Sequence, residues 1–511
     1  MKNRKLHCIL SLGFAFSLIA ATAQAQTYTP IHKNGPWGTD GCCQHNPGLL
    51  AEGLDGNIYG TNPSQLGGYG TLISYSPVTG AFTPINFQGG ANGNSPLSGW
   101  TLGFDGSLYG ATEWGGQITT SSGSHFSGYG AVVKFTPGVS GYPTGIYAFT
   151  NGSDGAYPWA PPVQTPDGSL WGVTNSGGTV AGSVYKLTSS GSLSWFGQLP
   201  SATVAPLILS LEQGNLYGTT EYGDDGTSAH KFNRGTVFKL TQAGVITVLH
   251  SFNPNNSKEG LVPVGPVLEG YDSFLYGTTS TGGQNATGLG AGTNDGRGTI
   301  FRIARDGSSF STIHTFQDNA TAKEGYGSVA GLVQGSDNRL YGVNPNGGAN
   351  GYGTLFSLNT DGTNFTVLYN FDKPTGSTPS STPFLHTNGK IYGTTAGGGS
   401  GYGVLYSVDA GLKPFAVLVG PWSGPVGTVV GILGQGFTTV TGVLIGGAAV
   451  PWAKFSGVTI VSDTYMTVTI PAGAKSGPIT VEEPSGNLVT RQNFSVTATC
   501  TSIFCKPILI H

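Results

Sequence analysis

Short hydrophobic runs separated by glycine and small polar residues fill most of the chain, and one phrase recurs among them seven times. Each copy is an aromatic residue followed by glycine within a short hydrophobic run, and a second run follows after a loop. The seven pairs are Tyr59-Gly60, Tyr109-Gly110, Trp171-Gly172, Tyr217-Gly218, Tyr276-Gly277, Tyr341-Gly342 and Tyr392-Gly393. Successive pairs lie 50, 62, 46, 59, 65 and 51 residues apart, a spacing close to that of repeat arrays.

Each repeat contains four runs that we interpret as strands. The first is apolar and ends at a turn signal such as Asp55-Gly56, and the second is the aromatic-glycine run. The third begins with glycine, as at residues 353–358, and the fourth ends in phenylalanine, as at Phe371. The runs are rich in Val, Ile, Thr, Phe and Tyr, which favours strands joined by tight turns. We therefore predict an all-β chain that contains a seven-bladed β-propeller.

The ends of the repeat region predict how the ring closes. The seventh repeat has its third run at residues 403–408 but lacks a clear fourth run. An unmatched run from Thr27 to His32 precedes the first repeat and is similar to a fourth run. We predict that this N-terminal strand completes the last blade of a propeller spanning residues 26–413, which would remove two exposed sheet edges.

Composition and the N-terminus narrow the class of protein. Glycine accounts for 86 of 511 residues and charged residues for 9%, and the glycines occupy repeated turn positions, which favours many short strands over disorder. A net charge of -3 without a basic stripe argues against a nucleic-acid partner. Basic residues, an apolar stretch from Ile9 to Ala21 and a small-residue site before Gln26 predict a signal peptide at residues 1–25. No other run is long enough for a transmembrane span, so we expect a secreted or cell-surface monomer.

Cysteines and Asp-Gly pairs give little evidence for a metal or cofactor. The mature chain would retain Cys42, Cys43, Cys500 and Cys505, whose spacing matches no zinc pattern. Three pairings are open, and local closure of Cys500 with Cys505 is the one we favour, whereas Cys42 and Cys43 could form a vicinal bridge or stay reduced. The recurring Asp-Gly pairs predict hairpin turns. Structural calcium remains an alternative at Asp225 and Asp295, although neither has the spacing of an EF-hand loop.

The repeats resemble the GloVer-type tandem repeat of secreted bacterial proteins. The family consensus is similar to DG-x-LYGTT followed by GG and GTLF, and residues 215–220 and 353–356 show it well. The resemblance extends over roughly residues 47–412. It implies an architecture and a secreted location but no particular chemistry.

A different pattern begins at Pro414. Gly434, Gly436-Phe437, the run PAGA at 471–474 and the run SGPITV at 476–481 resemble an IPT/TIG domain. The resemblance implies an immunoglobulin-like β-sandwich over residues 414–497, used as a spacer or contact module, followed by a tail at 498–511. The apolar alternation from Val481 to Val496 predicts a sheet independently.

Candidate binding residues lie where the repeats are unequal. The loop between the second and third runs is longest in repeats two, four and five, and in a propeller these loops share one face with the connections between blades. Binding residues tend to lie on loops that a rigid scaffold holds. The candidates on this face are Trp114, His125, Tyr222, Asp225, His230, Arg234, Asp295, Arg297 and, from a connection, Trp159.

Three functions fit these residues. Aromatic rings with carboxylates and amides suit sugar recognition, which favours a non-catalytic scaffold that binds carbohydrate or another surface polymer. Glu113 and Glu221 occupy the same place in repeats two and four, so a hydrolase or lyase using them as acid and base, about 5 to 10 Å apart, is an alternative. A purely structural envelope protein with tolerated loop insertions is the third.

Overall fold

The computed structural model describes residues 26–35, 48–63, 68–116, 128–177, 182–210, 214–223, 234–283, 296–450 and 457–498. Within these ranges the chain is all-β apart from three short 3₁₀ helices at Gly90–Asn92, Pro254–Glu259 and Phe437–Thr439. The predicted signal peptide and all the cysteines lie outside the described residues. Consecutive four-stranded antiparallel sheets make up most of the chain, which is consistent with propeller-like repeats.

The first three repeats each form one sheet, whose strands pair in chain order. The strands of sheet 1 are Ala51–Glu52, Ile58–Asn62, Thr71–Tyr75 and Phe82–Asn86. Those of sheet 2 are Trp100–Leu102, Leu108–Thr112, Ala131–Phe135 and Thr144–Ala148. Those of sheet 3 are Val163–Gln164, Leu170–Thr174, Ser183–Leu187 and Leu193–Gln198.

The next three repeats have the same strand order. The strands of sheet 4 are Ile208–Leu209, Leu216–Thr220, Thr236–Leu240 and Ile246–Ser251. Those of sheet 5 are Leu268–Glu269, Phe274–Thr279, Thr299–Ala304 and Phe310–Thr315. Those of sheet 6 are Val333–Gln334, Leu340–Asn344, Thr354–Leu358 and Thr366–Asn370.

Sheet 7 contains strands from both ends of the repeat region. Its C-terminal contribution is Ser377–Pro379, Phe384–Leu385, Ile391–Gly397 and Val404–Asp409. The outer strand is the N-terminal run Thr27–Lys33, which pairs antiparallel with Val404–Asp409. Tyr28 of this strand stacks on Tyr369 of sheet 6 with ring centroids 3.7 Å apart, so the N-terminal strand also contacts the neighbouring sheet.

Hydrophobic cores lie between the sheets and connect them in cyclic order. Tyr59 of sheet 1 shares a core with Leu108 of sheet 2, and each following pair of sheets up to 6 and 7 shares another. A further core contains Leu50 and Ile58 of sheet 1 with Tyr392 of sheet 7. The second and third strands of each repeat sheet are thus largely buried by the neighbouring sheets, whereas the fourth strands remain partly exposed.

The repeated glycine makes room for an aromatic side chain on the next strand. In sheets 3 to 7 the glycine pairs in register with the residues Tyr185, Phe238, Phe301, Phe356 and Tyr406. A Cβ atom built on any of these five glycines would lie less than 3.0 Å from that aromatic ring or its hydroxyl. The repeated phrase is therefore a packing device, in which glycine permits a close approach across the sheet.

Two of these five aromatic residues carry a hydroxyl group whose removal we expect to be stabilising. The hydroxyls of Tyr185 and Tyr406 are buried, with no hydrogen-bond partner in the described part of the chain, and burial raises the pKa of both phenols above its usual range. An unsatisfied buried hydroxyl costs roughly 1–3 kcal/mol. Tyr406→Phe should therefore raise the free energy of unfolding by about 1 kcal/mol in a denaturant titration. Phe238→Tyr, the reverse change in sheet 4, should lower it, and a loss of stability in Tyr406→Phe would contradict this account.

Aspartates hold the turns between the first and second strands, as the Asp-Gly pairs predict. Asp105 accepts the backbone N–H of Ser107 at 3.0 Å and the hydroxyl of Tyr109 at 2.8 Å. Asp272 and Tyr276 form the same contact in sheet 5, with 2.6 Å between hydroxyl and carboxylate. These carboxylates accept hydrogen bonds within the turns and therefore have a structural role. Among the described residues, no group of three or more His, Cys, Asp or Glu side chains is arranged to hold a metal ion.

The chain from Val417 onward forms two further sheets that share one core. One consists of Val417–Gly420, Val429–Leu433, Tyr465–Thr469 and Val458–Ile460. The other consists of Ser423–Gly424, Leu488–Val496, Gly477–Glu482, Gly442–Ile445 and Ala448–Ala449. Buried side chains of both sheets meet between them, including Ile432 and Val468 from the first and Ile479 and Phe494 from the second. We call this unit the C-terminal sheets.

The C-terminal sheets pack against the turns between the first and second strands, an end of the repeat sheets that we call the lower face. Thr464 donates to the carbonyl of Leu54 at 2.8 Å, and the ring of Trp422 lies 5.0 Å from that of Phe104. Further contacts join the C-terminal sheets and the linker before them to sheets 6 and 7, namely Arg491 with Gln334, Lys413 with Ser336, and Gln435 with Thr387. Contacts with four different sheets fix the orientation of this unit.

Candidate functional site

The described residues of the loops between second and third strands lie at the opposite end of the second strand, together with the connections between sheets. We call this end the upper rim. Backbone bridges join loop and connection in several sheets, at the pairs Asn94 and Trp114, Ala156 and Ser176, Leu261 and Thr281, and Tyr326 and Asn346. The upper rim therefore holds its side chains on a hydrogen-bonded framework rather than on independent loops.

Three aromatic residues meet on the upper rim between sheets 2 and 3, and we call them the aromatic cluster. The ring centroid of Trp114 lies 4.8 Å from that of Tyr157, and the ring centroid of Tyr129 lies 6.1 Å from that of Tyr157, both pairs edge to face. All three side chains are partly exposed. A group of partly exposed aromatic rings is suited to stacking against a flat apolar surface.

The backbone at the centre of the cluster is strained. Tyr157 has a φ of 54°, in the left-handed region that non-glycine residues rarely adopt. Its N–H donates to the carbonyl of Tyr129 at 2.8 Å, and its own carbonyl accepts the N–H of Asn175 at 3.0 Å. A conformation of this kind costs on the order of 1–3 kcal/mol and persists only where the surroundings enforce it. The two backbone hydrogen bonds hold Tyr157 in this conformation at the centre of the cluster.

Glu113 places a carboxylate beside the aromatic cluster. Its Oε2 accepts a hydrogen bond from the hydroxyl of Ser95 at 3.3 Å, and its N–H donates to the Ser95 carbonyl at 3.0 Å. Burial raises the pKa of Tyr157, with smaller contributions from Tyr129 and from the negative charge of Glu113. The site thus combines aromatic rings with an anionic acceptor.

A second group of predicted residues lies on sheet 4. Tyr222 is 44% exposed, and a backbone bridge joins Gly223 to Arg234. Partial burial raises the pKa of Tyr222, and the hydrogen bond to Glu221 raises it further, whereas the charge of Arg234 lowers it. An exposed ring, an acid and a base therefore lie together at this position.

A third group contains Arg297. Its guanidinium lies 4.3 Å from the ring centroid of Tyr326, and Nη1 is 3.9 Å from Oδ2 of Asp318. Trp159, from the connection between sheets 2 and 3, is partly buried, and its indole N–H is buried without an acceptor among the described residues. The remaining predicted ligand-binding residues, His125, Asp225, His230 and Asp295, and the predicted Cys500 and Cys505 bridge lie outside the described residues.

The two glutamates proposed as an acid and base have separate partners. Glu113 contacts Ser95 and lies near Tyr157, at the boundary of sheets 2 and 3. The N–H of Glu221 donates to the carbonyl of Ala202, and its side chain interacts with Tyr222. Each glutamate thus contacts the connection that precedes its own sheet.

Trp100, in the first strand of sheet 2, and several connection residues stabilise the fold rather than extend the site. Trp100 is only 1% exposed, and its indole N–H donates to the carbonyl of Gly60 at 3.2 Å. Three acidic side chains accept hydrogen bonds from nearby backbone N–H groups: Asp154 from Thr150, Glu259 from Asn253 and Glu324 from Gln317. The carboxylate of Glu324 also lies 3.0 Å from Nε2 of His314. His250 and His314 stack on Phe310 and Phe365 of the next sheet, at 3.8 and 4.3 Å. Both histidines therefore pack between neighbouring sheets, which is a structural role.

One recurring rim position was identified from the sequence only where it holds an arginine. The residue before the first glycine of the third strand is Tyr69, Tyr129, Arg234, Arg297, Tyr352 or Tyr402 in six of the repeats. Its carbonyl accepts a backbone hydrogen bond from the following connection in sheets 1, 2, 4, 5 and 6. The recurring GYG triplet is the signal that could have identified Tyr129 as part of the cluster.

The sequence profile of the Gloeobacter/Verrucomicrobia repeat family matches residues 44–290 and 287–446. These matches cover most of the chain, which belongs to this family. A comparison with curated proteins gave no match.

Solved structures show only distant similarity. A gluconolactonase from Xanthomonas campestris is 12% identical, over 76% of this chain and 90% of its own, with a TM-score of 0.37. An oligogalacturonate lyase in complex with manganese is also 12% identical, over 76% of this chain and 94% of its own, with a TM-score of 0.43. At these TM-scores neither similarity assigns an activity to this chain. In the part of the chain that the structure describes, no helix has the length and apolar character needed to cross a membrane.

Proposed function

We propose that this protein is a secreted or cell-surface binding protein that holds a carbohydrate or a similar surface polymer on its upper rim. The aromatic cluster of Trp114, Tyr129 and Tyr157, with Glu113 beside it, is the observation that carries this proposal. Sugar rings present flat C–H faces that pack on aromatic side chains, and their hydroxyls donate to carboxylates. Tyr222 and Arg297 add further polar and aromatic contacts along the same rim.

The proposed scaffold is a seven-bladed β-propeller over residues 26–413, closed by the N-terminal strand. The pairing of Thr27–Lys33 with Val404–Asp409 and the core shared by sheets 7 and 1 support this closure. We further propose that the C-terminal sheets, residues 414–497, are an immunoglobulin-like module of the IPT/TIG type. Their docking on the lower face supports a role as a contact module that leaves the upper rim accessible.

Removal of the Trp114 ring tests the proposed function. Trp114→Ala should weaken binding to the polysaccharide identified on a glycan array by about tenfold or more, because aromatic side chains at the centre of a contact dominate its energy. Tyr142→Ala is the matched control, since Tyr142 is 43% exposed in the turn between the third and fourth strands of sheet 2, away from the rim. Binding that Trp114→Ala leaves unchanged would exclude the aromatic cluster as the site.

The same assay separates the proposed function from the two alternatives. Release of soluble sugar from the bound polysaccharide, lost in Glu113→Gln, would establish a hydrolase or lyase. Absence of binding to every polysaccharide on the array would leave the structural envelope protein.

A further inference from the structure

A cleft separates the lower face of sheets 5 and 6 from the C-terminal sheets. Its volume is about 690 Å³, which is the size of pocket that holds a ligand as large as a disaccharide. The repeat sheets contribute one wall, which includes Tyr271 and Gln334, and the C-terminal sheets contribute the other, which includes Arg491 and Ser495. The cleft therefore exists only because the two units are docked.

Arg491 is an unusual residue in this wall. Its guanidinium lies 3.5 Å from the ring centroid of Phe415, and Nη1 donates to the carbonyl of Gln334 at 3.2 Å. Nε and Nη2 are buried and have no hydrogen-bond partner among the described residues. These two nitrogens form one edge of the guanidinium, and this edge presents the parallel N–H pair that binds a carboxylate with two hydrogen bonds.

The charge of Arg491 is not balanced within the cleft. Glu269 is the other charged residue in the described lining, and its Oε1 accepts a hydrogen bond from Nη1 of Arg305 at 2.7 Å. Ser210 donates to the same oxygen at 3.0 Å. Because Glu269 is already neutralised by Arg305, the wall retains the positive charge of Arg491, and an arginine remains protonated in proteins. A buried, unbalanced cation favours an anionic ligand.

The rest of the lining is suited to a polyhydroxylated ligand. Tyr271 is 47% exposed and supplies an aromatic ring. Small hydroxyl and amide side chains surround it, namely Ser273, Ser476, Gln492, Asn493 and Ser495. A ring with several short hydrogen-bonding groups is the chemistry that recognises sugar hydroxyls, whereas a simple inorganic anion would use little of this volume.

We propose that the cleft is a second binding site, distinct from the upper rim, for an acidic saccharide whose carboxylate pairs with Nε and Nη2 of the Arg491 guanidinium. The sugar ring would pack near Tyr271, and its hydroxyls would contact the serine and amide side chains. To reach Nε and Nη2 the carboxylate must displace the groups that now cover this edge, so binding includes a local side-chain movement at the junction.

Two disaccharides that differ by a single carboxylate test the proposal. Isothermal titration calorimetry of the full chain with cellobiouronic acid should give saturable binding, and cellobiose should bind about tenfold more weakly or worse, since a hydrogen-bonded charge pair is lost. Equal affinity for the two probes, or no saturable binding of cellobiouronic acid up to about 10 mM, would overturn the proposal.

Two variants assign the binding to this cleft. Arg491→Lys keeps the positive charge but lacks the two-donor edge, so it should reduce the preference for cellobiouronic acid over cellobiose.

Because Arg491 also holds the junction together, a second variant, Ser495→Trp, is needed. Ser495 is exposed and lines the cleft, and a tryptophan at this position would fill it. Ser495→Trp should abolish binding without lowering the thermal midpoint, whereas Thr459→Trp, an exposed change on the other C-terminal sheet, should bind as the unmodified chain does. Binding that survives Ser495→Trp with unchanged affinity would place the site elsewhere, and Trp114→Ala, which tests the upper rim, should leave this binding intact.

Discussion

Deletion of residues 26–33 is expected to lower the thermal midpoint of the protein by about 10 °C or more and to broaden the transition. The deletion removes the outer strand of sheet 7, whose pairing with Val404–Asp409 extends from Thr27 to Lys33. The strand Val404–Asp409 would then present an unpaired edge next to the apolar residues of the core between sheets 6 and 7. An edge of this kind also promotes aggregation, which should appear in light scattering during the melt.

Tyr28 accounts for much of this effect. Its ring stacks on Tyr369 at 3.7 Å and contacts Tyr406 at 5.4 Å, and its hydroxyl donates to the carbonyl of Thr375 at 2.7 Å. Truncation of a packed aromatic side chain typically costs about 3–5 kcal/mol. Tyr28→Ala alone should therefore reproduce a large part of the destabilisation in a denaturant titration.

Thr29→Ala provides the control for the N-terminal strand. Thr29 is exposed and keeps its backbone pairing with Ser407, so this variant should melt within about 1 °C of the unmodified chain. If the deletion variant melted as cooperatively and at the same temperature as the full chain, the N-terminal strand would not be needed to join the two ends of the repeat region.

The free energy of unfolding should fall by about 2 kcal/mol as the pH rises from 6.5 to 8, and Glu52→Gln should remove this loss. Glu52 is 4% exposed at the junction of sheets 7 and 1 with the C-terminal sheets. It accepts hydrogen bonds from the backbone N–H of Thr387 at 3.0 Å, from the Thr387 hydroxyl, and from Gln435 at 3.4 Å. Burial outweighs these donors and raises its pKa from 4.5 to about 8.

The pKa of the neighbouring His386 shifts in the opposite direction. Nδ1 of His386 accepts the N–H of Asn388 at 3.1 Å, so the ring hydrogen of the neutral form is on Nε2, which lies 3.1 Å from the carbonyl of Gly56 and 3.3 Å from Glu52. Burial lowers the pKa of His386 from 6.5 to about 4. Near pH 6 the folded protein therefore holds both side chains in their uncharged forms.

The two pKa shifts determine the pH window. Because the pKa of Glu52 is raised on folding, its contribution to stability is complete below pH 4.5 and is lost as the pH rises to about 8. Because the pKa of His386 is lowered, its contribution is complete above pH 6.5 and is lost as the pH falls to about 4. The slopes cancel between pH 4.5 and 6.5, and above pH 6.5 the loss from Glu52 is unopposed, at 1.36 kcal/mol per pH unit.

Denaturant titrations at pH 6.5 and 8 of the unmodified chain and of Glu52→Gln measure this difference. Glutamine retains a carbonyl acceptor for Thr387 but cannot ionise, so its stability should be nearly constant across the window. Glu482→Gln, a change outside the junction, should keep the decline of the unmodified chain. A decline that persists in Glu52→Gln would show that another group causes it.

Much of the fold could be predicted from the sequence because its signals are local. The aromatic-glycine pairs are packing residues, since Gly172 and Gly277 face an aromatic side chain on the paired strand. The run Thr27–Lys33 pairs in the structure with the third run of the seventh repeat, which has no clear fourth run after it in the sequence. The burial of the Trp100 side chain could not be predicted from the sequence, because it depends on packing against sheet 1, where the indole N–H donates to the carbonyl of Gly60.

The candidate site was only partly predictable, because its contacts join residues from different parts of the chain. Trp114 and Arg297 stand out in the sequence because they lie in long loops, and the structure adds their contacts with Tyr157 and Tyr326. Tyr129 has no distinguishing feature in a single repeat. Its role follows from the position of the connection that crosses above it, which only the folded chain shows.

The sequence by itself determined the four-stranded repeat, its turns and the family to which the chain belongs, because hydrophobic alternation and glycine positions act within a few residues of each other. The tertiary structure decided where the C-terminal sheets dock, and with them the burial of Glu52 and the cleft beside Arg491. Thr464 and Leu54 are 410 residues apart in the chain yet share a hydrogen bond. Contacts of this kind depend on the relative placement of two packed units, which the periodicity of either unit does not encode.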